Sequence, residues 1–326
     1  MEGIVCVTYR CNAKCHMCNI WQYPTKPQEE IMPDIAEKIP FLKFVNITGG
    51  EPFIRDDIEE FVIRLKQKAE RVVISTNGFF TDRVINLAKK HRDIGIRISL
   101  EGLPKANDEL RGIKDGFDRG LRTLLELKHM GMKDIGFGIT VSDKNAKDLL
   151  ELYKLAVAMK VEFATAAVHN TFYFHKFDNK IEEKELVTGE FKKLVEELLR
   201  TKRVKNWFRA YFNWGLMNYT NGGKRFLPCR AGTDLFFINP DGKMYPCNAM
   251  DEVFGDLNEN SFDTIWNGEQ AGKIREKVAN CDMNCWMIGS VAPAMKRDLF
   301  RVSKWVLKAK LFGIPKEFCE CVEKKS

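Results

Sequence analysis

A chain of 326 residues, 44% hydrophobic and 30% charged, is long enough for one large α/β domain or for a domain and a smaller companion, and it reads as globular. It has no apolar run of the ~18 residues that span a membrane, and its start, MEGIVCVTYR, lacks the basic opening and apolar stretch of a signal peptide. A cytoplasmic location is therefore expected. The net charge of +7 is too modest to name a partner, and with no nucleic-acid-binding motif in the chain, nucleic acid is not expected.

In chain order, the first half alternates short β-like runs with amphipathic stretches. The runs fall at 3–9, 43–49, 71–77, 95–101, 134–142 and 161–168. Helical periodicity occupies 58–69, 84–90, 117–130 and 146–159 between them. Strands spaced by helices predict βα units on a parallel sheet. Six such units predict an open or partial (β/α)6 barrel, with ligands at the carboxyl ends of its strands. TGGEP follows the second strand, STNG the third and SLEG the fourth. Ordinary turn chemistry accounts for any one of these, but their recurrence at equivalent strand ends points to a ligand that approaches backbone closely. After residue 168 comes an irregular aromatic stretch, HNTFYFHKFDNK. Helices are expected over 182–202 and 207–219. DLFFINPDGKMYPC then predicts a β-hairpin turning on Asn239, Pro240, Asp241 and Gly242.

The ten cysteines are the most informative residues. In a cytoplasmic chain of this size they are metal ligands or catalytic groups more often than disulfides. Cys6, alone on an apolar run, is read as packing. Cys11, Cys15 and Cys18 lie together in YRCNAKCHMCNIW. A structural zinc site takes four ligands, and so does a cubane iron–sulfur cluster held entirely by protein. Three cysteines leave one position open for substrate chemistry. Zinc, with His16 as fourth ligand, is the competing reading.

Cys11-x3-Cys15-x2-Cys18 directly after a first strand, with Gly49-Gly50-Glu51-Pro52 after the second, resembles the radical S-adenosylmethionine (SAM) superfamily over about the first half of the chain. The resemblance implies a 4Fe–4S cluster on Cys11, Cys15 and Cys18 whose open iron is chelated by SAM. It also implies one-electron cleavage of SAM to a 5′-deoxyadenosyl radical that takes a hydrogen atom from substrate. By position, Gly49, Gly50, Glu51 and Pro52 resemble the loop that receives the SAM amino group, with Glu51 an acceptor or a shaper of the loop. Ser75 and Asn77 lie at the third strand end. Ser99 and Glu101 stand where the family commonly carries a Ser-x-Asp motif that meets the ribose, Glu101 being one methylene longer. Arg111 resembles the arginine that pairs with the SAM carboxylate; an ordinary surface arginine is the alternative. Met17 stands where many members carry an aromatic residue.

Cys229, Cys247 five residues past Gly242, Cys281 and Cys285 resemble the auxiliary-cluster domains of the same superfamily, SPASM and its shortened form Twitch. The resemblance implies one auxiliary 4Fe–4S cluster on these four, a ligation suited to electron transfer. Zinc remains open on spacing alone, and Cys319 and Cys321 are unassigned. The expected fold class is α/β. A partial (β/α)6 radical SAM barrel with a helical extension would occupy 1–225. A small α+β auxiliary-cluster domain with a β-hairpin and a C-terminal helix would occupy 226–326.

The function expected from the resemblance is a radical SAM oxidoreductase acting on a small molecule, namely a sugar, a nucleotide or a lipid-linked compound, and served by a reductant such as flavodoxin or ferredoxin. One alternative is a peptide-modifying maturase. It is weakened because the cluster motif starts at Cys11, so that no peptide-binding domain is expected ahead of it. The other is a non-catalytic iron–sulfur electron-transfer or binding protein. His169, Tyr173 and His175 are candidates for proton transfer or simply aromatics at a domain junction, and no catalytic residue is assigned. Finally, 295–308 reads as a basic amphipathic helix. Met295, Leu299, Val302 and Val306 share one face, and Arg297, Arg301, Lys304 and Lys308 the other. Such a helix allows peripheral contact with an anionic membrane; packing on its own domain is the competing reading.

Overall fold

The six β-like runs become six strands in the computed structural model, which describes residues 1–315. They are β1 (Glu2–Cys6), β2 (Phe44–Thr48), β3 (Val72–Thr76), β4 (Gly95–Ser99), β5 (Ile135–Val141) and β6 (Glu162–Ala167). Each pairs in parallel with the next. The alternation along each strand sets its two faces. On β2, Val45 and Ile47 are buried in the main core, whereas Asn46 and Thr48 are only partly buried and face a cavity. The crossovers carry α1 (Ile35–Lys38), α2 (Ile58–Lys68), α3 (Thr81–Lys90), α4 (Pro104–Arg111), α5 (Gly116–His129) and α6 (Leu149–Met159). Sequence periodicity missed α1, which is a single turn, and α4, which is mostly polar.

After β6, α7 (Lys184–Arg200) and α8 (Val204–Thr220) form the helical extension. α7 buries Phe191, Leu194, Val195 and Leu198. Burying four such side chains contributes on the order of 1.5–3 kcal/mol each, before the cost of ordering them. The predicted hairpin is present as β7 (Leu235–Ile238) and β8 (Lys243–Tyr245), followed by β9 (Gly255–Asp256). β7 pairs in parallel with β1, so the C-terminal strands extend the barrel sheet. The order is β6-β5-β4-β3-β2-β1-β7-β8-β9, an open sheet with β6 and β9 at its edges. The barrel is therefore partial. α9 (Phe262–Asn267), α10 (Glu269–Ala279), α11 (Ile288–Arg297) and α12 (Leu299–Phe312) complete the described chain.

One expectation needs correction. Residues 295–308 are not a single helix. The chain breaks at Asp298, whose side chain caps α12 by accepting from the Arg301 amide at 3.0 Å. The face assigned to a membrane is mostly internal, with Met295, Val302 and Val306 buried in the core. Packing of an amphipathic helix on its own domain won over interfacial binding, because the aromatic residues of α8 offered it an apolar partner. Among the described residues, no helix is long and apolar enough to cross a membrane. Cys319 and Cys321 lie outside the described residues.

Candidate active site and cluster-binding cavity

Cys11, Cys15 and Cys18 lie on the loop that leaves β1, at the carboxyl end of the sheet. Backbone hydrogen bonds hold this loop on two sides. Lys14 and His16 donate their amides to the carbonyls of Arg111 and Leu110, at 3.0 and 2.8 Å, and Asn19 donates to Phe174 at 2.8 Å. Asn179 Nδ2 donates to the Met17 carbonyl at 3.1 Å. The loop root is fixed by charge. Glu30, with a side chain 1% exposed, receives Arg10 at 2.8 Å and Arg55 at 3.1 Å, together with the hydroxyls of Thr8 and Thr25. Arg55 also pairs with Asp57 and donates to the Val7 carbonyl at 2.8 Å. Neither Glu30 nor Arg55 carries a sequence signal, because their meeting depends on the fold.

The GGEP loop packs on the same root. Gly50 donates its amide to the Thr8 carbonyl at 2.7 Å, and Glu51 donates its amide to Arg10 at 2.9 Å. A Cβ on Gly49 would stand 2.5 Å from the Thr8 carbonyl oxygen, and one on Gly50 2.3 Å from that of Arg10. Only glycine admits this approach. Glu51 is wholly buried and accepts from the amides of Phe53 and Asn77 and from the Thr76 hydroxyl. These contacts tie it to both the GGEP loop and the end of β3. Burial pushes its carboxyl up, against the pull of those donors. Pro52 is buried beside it.

A cavity of about 280 Å³ opens above these elements. Its walls include the three cysteines, Gly49, Gly50, Ser75, Asn77, Ser99, Glu101 and Arg111. All the expected cofactor-binding positions thus converge there, except Glu51 and Pro52, which lie beneath the surface. Sequence reasoning missed Asn46, Thr140 and Asn248, which also line it. Asn46 accepts from the Ser75 hydroxyl at 3.0 Å. Asn248 follows Cys247, so the C-terminal segment closes part of the same wall. Tyr173 lines the cavity and donates its hydroxyl to the Gly49 carbonyl at 3.0 Å. His16 is exposed. His175 stacks on Tyr23 instead of facing the site, and His169 donates toward the Ala167 carbonyl.

Charge inside the cavity is organised around Arg111. Its guanidinium pairs with Glu101 at 3.1 Å, and Glu101 also accepts from the Thr140 amide. The Arg111 Nε and the Asn12 Nδ2 are buried with no partner among the described residues. Orphaned donors of this kind are costly in a folded chain, and the one on Arg111, which lines the cavity, suits an anionic cofactor. Burial pushes the Cys11 and Cys18 thiols up to about 12. Burial also raises Cys15, against the pull of Arg111. Such thiols ionise only when a cation compensates them, as bound iron does. The donor set therefore fits an iron–sulfur cluster with a carboxylate-bearing ligand beside it.

The second cysteine set gathers from three separate loops. Burial raises Cys247 to about 12 and Cys285 to about 11, and each thiol also feels Cys229. Cys281 interacts with Cys229 and Cys285 as well. Arg225 braces the loop of Cys281 and Cys285, donating to the Cys285 carbonyl at 2.6 Å while its backbone amide donates to Asn284. Among the described residues, no three His, Cys, Asp or Glu side chains are placed to hold a single metal ion. Cys229 and Cys285 thus link Cys247 and Cys281 into one neighbourhood of four thiols.

Comparison with known proteins agrees with this geometry. A profile of the radical SAM superfamily matches residues 5–156, and one of the SPASM iron–sulfur cluster-binding domain matches residues 229–286. The chain belongs to the radical SAM superfamily and carries a SPASM domain. These families imply a SAM-binding 4Fe–4S cluster, SAM itself and auxiliary iron–sulfur ligation. The chain is 32% identical over 167 residues to Fe-coproporphyrin III synthase of Methanosarcina barkeri, 48% of this chain but 40% of that one. It is 24% identical over 306 residues to AdoMet-dependent heme synthase of the same organism, 83% of each chain. It is 22% identical over 287 residues to the sporulation killing factor maturation protein SkfB of Bacillus subtilis, 84% of this chain and 67% of that one. The solved structure of anSMEcpe with bound AdoMet and a peptide shares the fold. Its TM-score is 0.63 at 13% identity over 95% of this chain and 99% of that one.

Proposed function

We propose that this enzyme takes a hydrogen atom from a small molecule held in the 280 Å³ cavity, using SAM as radical source, and that its overall reaction is an oxidation. One observation carries the reading: the three cysteines, the glycine loop and a buried, half-satisfied Arg111 share one cavity at the carboxyl ends of the strands. Cys11, Cys15 and Cys18 would hold three irons of the cluster. With SAM bound, that group supplies a 5′-deoxyadenosyl radical on one-electron reduction. The Arg111 guanidinium, offering Nε, would receive the SAM carboxylate, a planar donor facing a planar acceptor. Gly49 and Gly50 leave room for the amino group, and Ser99, Asn77 and Glu101 would orient the ribose and base. Ser75 joins Asn77 among the cofactor-binding residues, Asn46, Thr140 and Asn248 then remain to sort the substrate, and the enclosing walls keep water from the radical.

Cys229, Cys247, Cys281 and Cys285 would hold one auxiliary cluster with no open position. Such ligation suits electron transfer, which favours oxidation of a carbon bearing a hydroxyl or amine. The division into 1–225 and 226–326 is part of this proposal. The match to a heme synthase over 83% of each chain supports a small-molecule substrate, whereas a lipid-linked one lost its support with the buried helix face. A second reading, peptide maturation, is favoured by the similarity to SkfB over most of both chains.

Anaerobic reconstitution tests the proposal. About eight irons per chain, and 5′-deoxyadenosine released from SAM with dithionite, are expected; replacing Cys281 and Cys285 by serine should leave about four. Bound zinc with intact SAM would refute it.

A further inference from the structure

The outer side of α12 is apolar and basic, and nothing among the described residues covers it. Phe300, Leu307, Leu311 and Phe312 are 61% to 85% exposed. Lone exposed apolar residues need no explanation, but a cluster of large ones marks a contact surface. Phe300, Lys304, Leu307 and Leu311 follow one another at intervals of four, three and four, so they form a single stripe. α12 holds Arg301, Lys304, Lys308 and Lys310 and no acidic residue. The flanking α8 and α11 also lack acidic residues, whereas α7, which also meets α12, carries glutamates; Arg301 pairs with Asp298 at 3.0 Å and Lys310 lies over Trp207, so the charge of the face rests on Lys304 and Lys308. Lys304 sits inside the stripe, not beside it. A partner made of acyl chains would have to accommodate that ammonium, whereas an acidic protein surface would pair with it.

Beneath the stripe lies a column of aromatic rings. Trp305, buried on the inner side of α12, stacks toward Trp214 with centroids 5.1 Å apart. Trp214 meets Phe226 at 4.6 Å, and Phe226 meets Trp286 at 4.4 Å. Trp286 directly follows Cys285. Its indole donates to the Phe212 carbonyl at 2.9 Å, which fixes the ring. The column thus runs from the second cysteine set to the underside of the basic, apolar stripe.

We propose that the outer face of α12 docks a small acidic one-electron carrier protein, of the flavin or iron–sulfur class, and that Trp286, Phe226, Trp214 and Trp305 lie on its route to the four-cysteine site. The inference rests on the auxiliary cluster of the preceding section. In the encounter, one electron leaves the four-cysteine site, reduced as substrate is oxidised, for the oxidised carrier. The site returns to its oxidised state, the carrier gains the electron, and no bond or proton is involved. One helix face suits the small interfaces of electron-transfer encounters.

The test is binding, measured on the reconstituted chain with purified oxidised flavodoxin by isothermal titration at low and high salt. Vesicles of phosphatidylglycerol and phosphatidylcholine in equal amounts serve as the parallel probe. The unaltered chain should bind flavodoxin more weakly as salt rises. Lys304→Glu combined with Lys308→Glu should weaken binding by about tenfold or more at low salt, and Phe300→Ser combined with Leu307→Ser should weaken it at all salt concentrations. Both doubly substituted chains should keep their iron and their dithionite-driven 5′-deoxyadenosine release. Trp305→Leu should bind flavodoxin normally and pass electrons to it more slowly. Equal binding by the charge-reversed chain would overturn the proposal. So would capture by vesicles and not by flavodoxin. Loss of iron or of SAM cleavage in the unaltered chain would instead overturn the radical SAM reading, a result the binding assay does not share.

Discussion

Glu30 offers the sharpest test of how the cluster loop is held. The perturbation is Glu30→Gln, which keeps the shape of the side chain and removes its charge. Its carboxylate is almost fully enclosed and joins two arginines and two threonines. Breaking a buried ion pair from one side costs ~3–5 kcal/mol, because the partner charge stays buried. Here Arg55 is the buried partner, 5% exposed, but it keeps Asp57 at 2.5 Å, and Arg10 can turn to water. The lower end, ~3 kcal/mol, is therefore expected. At ~2 °C per kcal/mol for a chain of this size, the melting temperature should fall by ~6 °C. Differential scanning calorimetry on the iron-free and reconstituted chains measures it, with iron content as second readout, since Arg10 immediately precedes Cys11. The pH dependence has a definite sign. Burial raises the Glu30 carboxyl, but hydrogen bonds from Arg10, Thr25 and Thr8 outweigh that and hold it below its ordinary value of 4.5. Its stabilisation is thus complete above 4.5 and is lost as pH falls through the lowered value. The gap between the two chains should close in that window. A melting-temperature change under ~1 °C at neutral pH, or a gap that persists in acid, would refute the argument.

Other perturbations probe the cavity and the aromatic column. Gly50→Ala places a Cβ 2.3 Å from the Arg10 carbonyl oxygen, where backbone must yield; ~2 kcal/mol of stability and the reconstituted iron should both be reduced, as thermal unfolding and iron analysis would show. Tyr173→Phe removes the donor to the Gly49 carbonyl without opening a void, so a loss of ~1 kcal/mol and weaker SAM binding by equilibrium dialysis are expected, and unchanged SAM affinity would count against a role for this contact. Gly215→Ala would drive a methyl to 2.1 Å from the Trp286 ring. It should cost ~1–3 kcal/mol by denaturant titration and lower auxiliary iron more than total SAM cleavage.

Much of the scaffold was legible because its signals are local. Five of the six barrel strands lie within a short β-like run and β1 overlaps its own, and α7 shows its apolar spacing plainly. Cys11, Cys15 and Cys18 and the two glycines are also local, since a tight loop needs its ligands and its space within a few residues. The absence of a mid-helix break signal stronger than Asp298 explains the misjudged C-terminal helix. Aspartate at that position reads equally as a solvent-facing residue and as a cap, and only the docking of α12 against α8 decides between them.

The sequence by itself determined the order and approximate positions of the six strands, the three-cysteine motif and the chemistry those thiols invite, because each depends on residues a few positions apart. The tertiary structure alone decided what those motifs meet. It set Glu30 under the loop root, turned Glu101 onto Arg111, and carried Asn248 into the wall of a cavity that begins at Cys11. It also gathered Cys229, Cys247, Cys281 and Cys285 from three loops and joined β7 to β1. These contacts bridge residues from ten to more than two hundred positions apart. Their free energy comes from burial and from charge pairing in a low dielectric, neither of which exists until the sheet has formed.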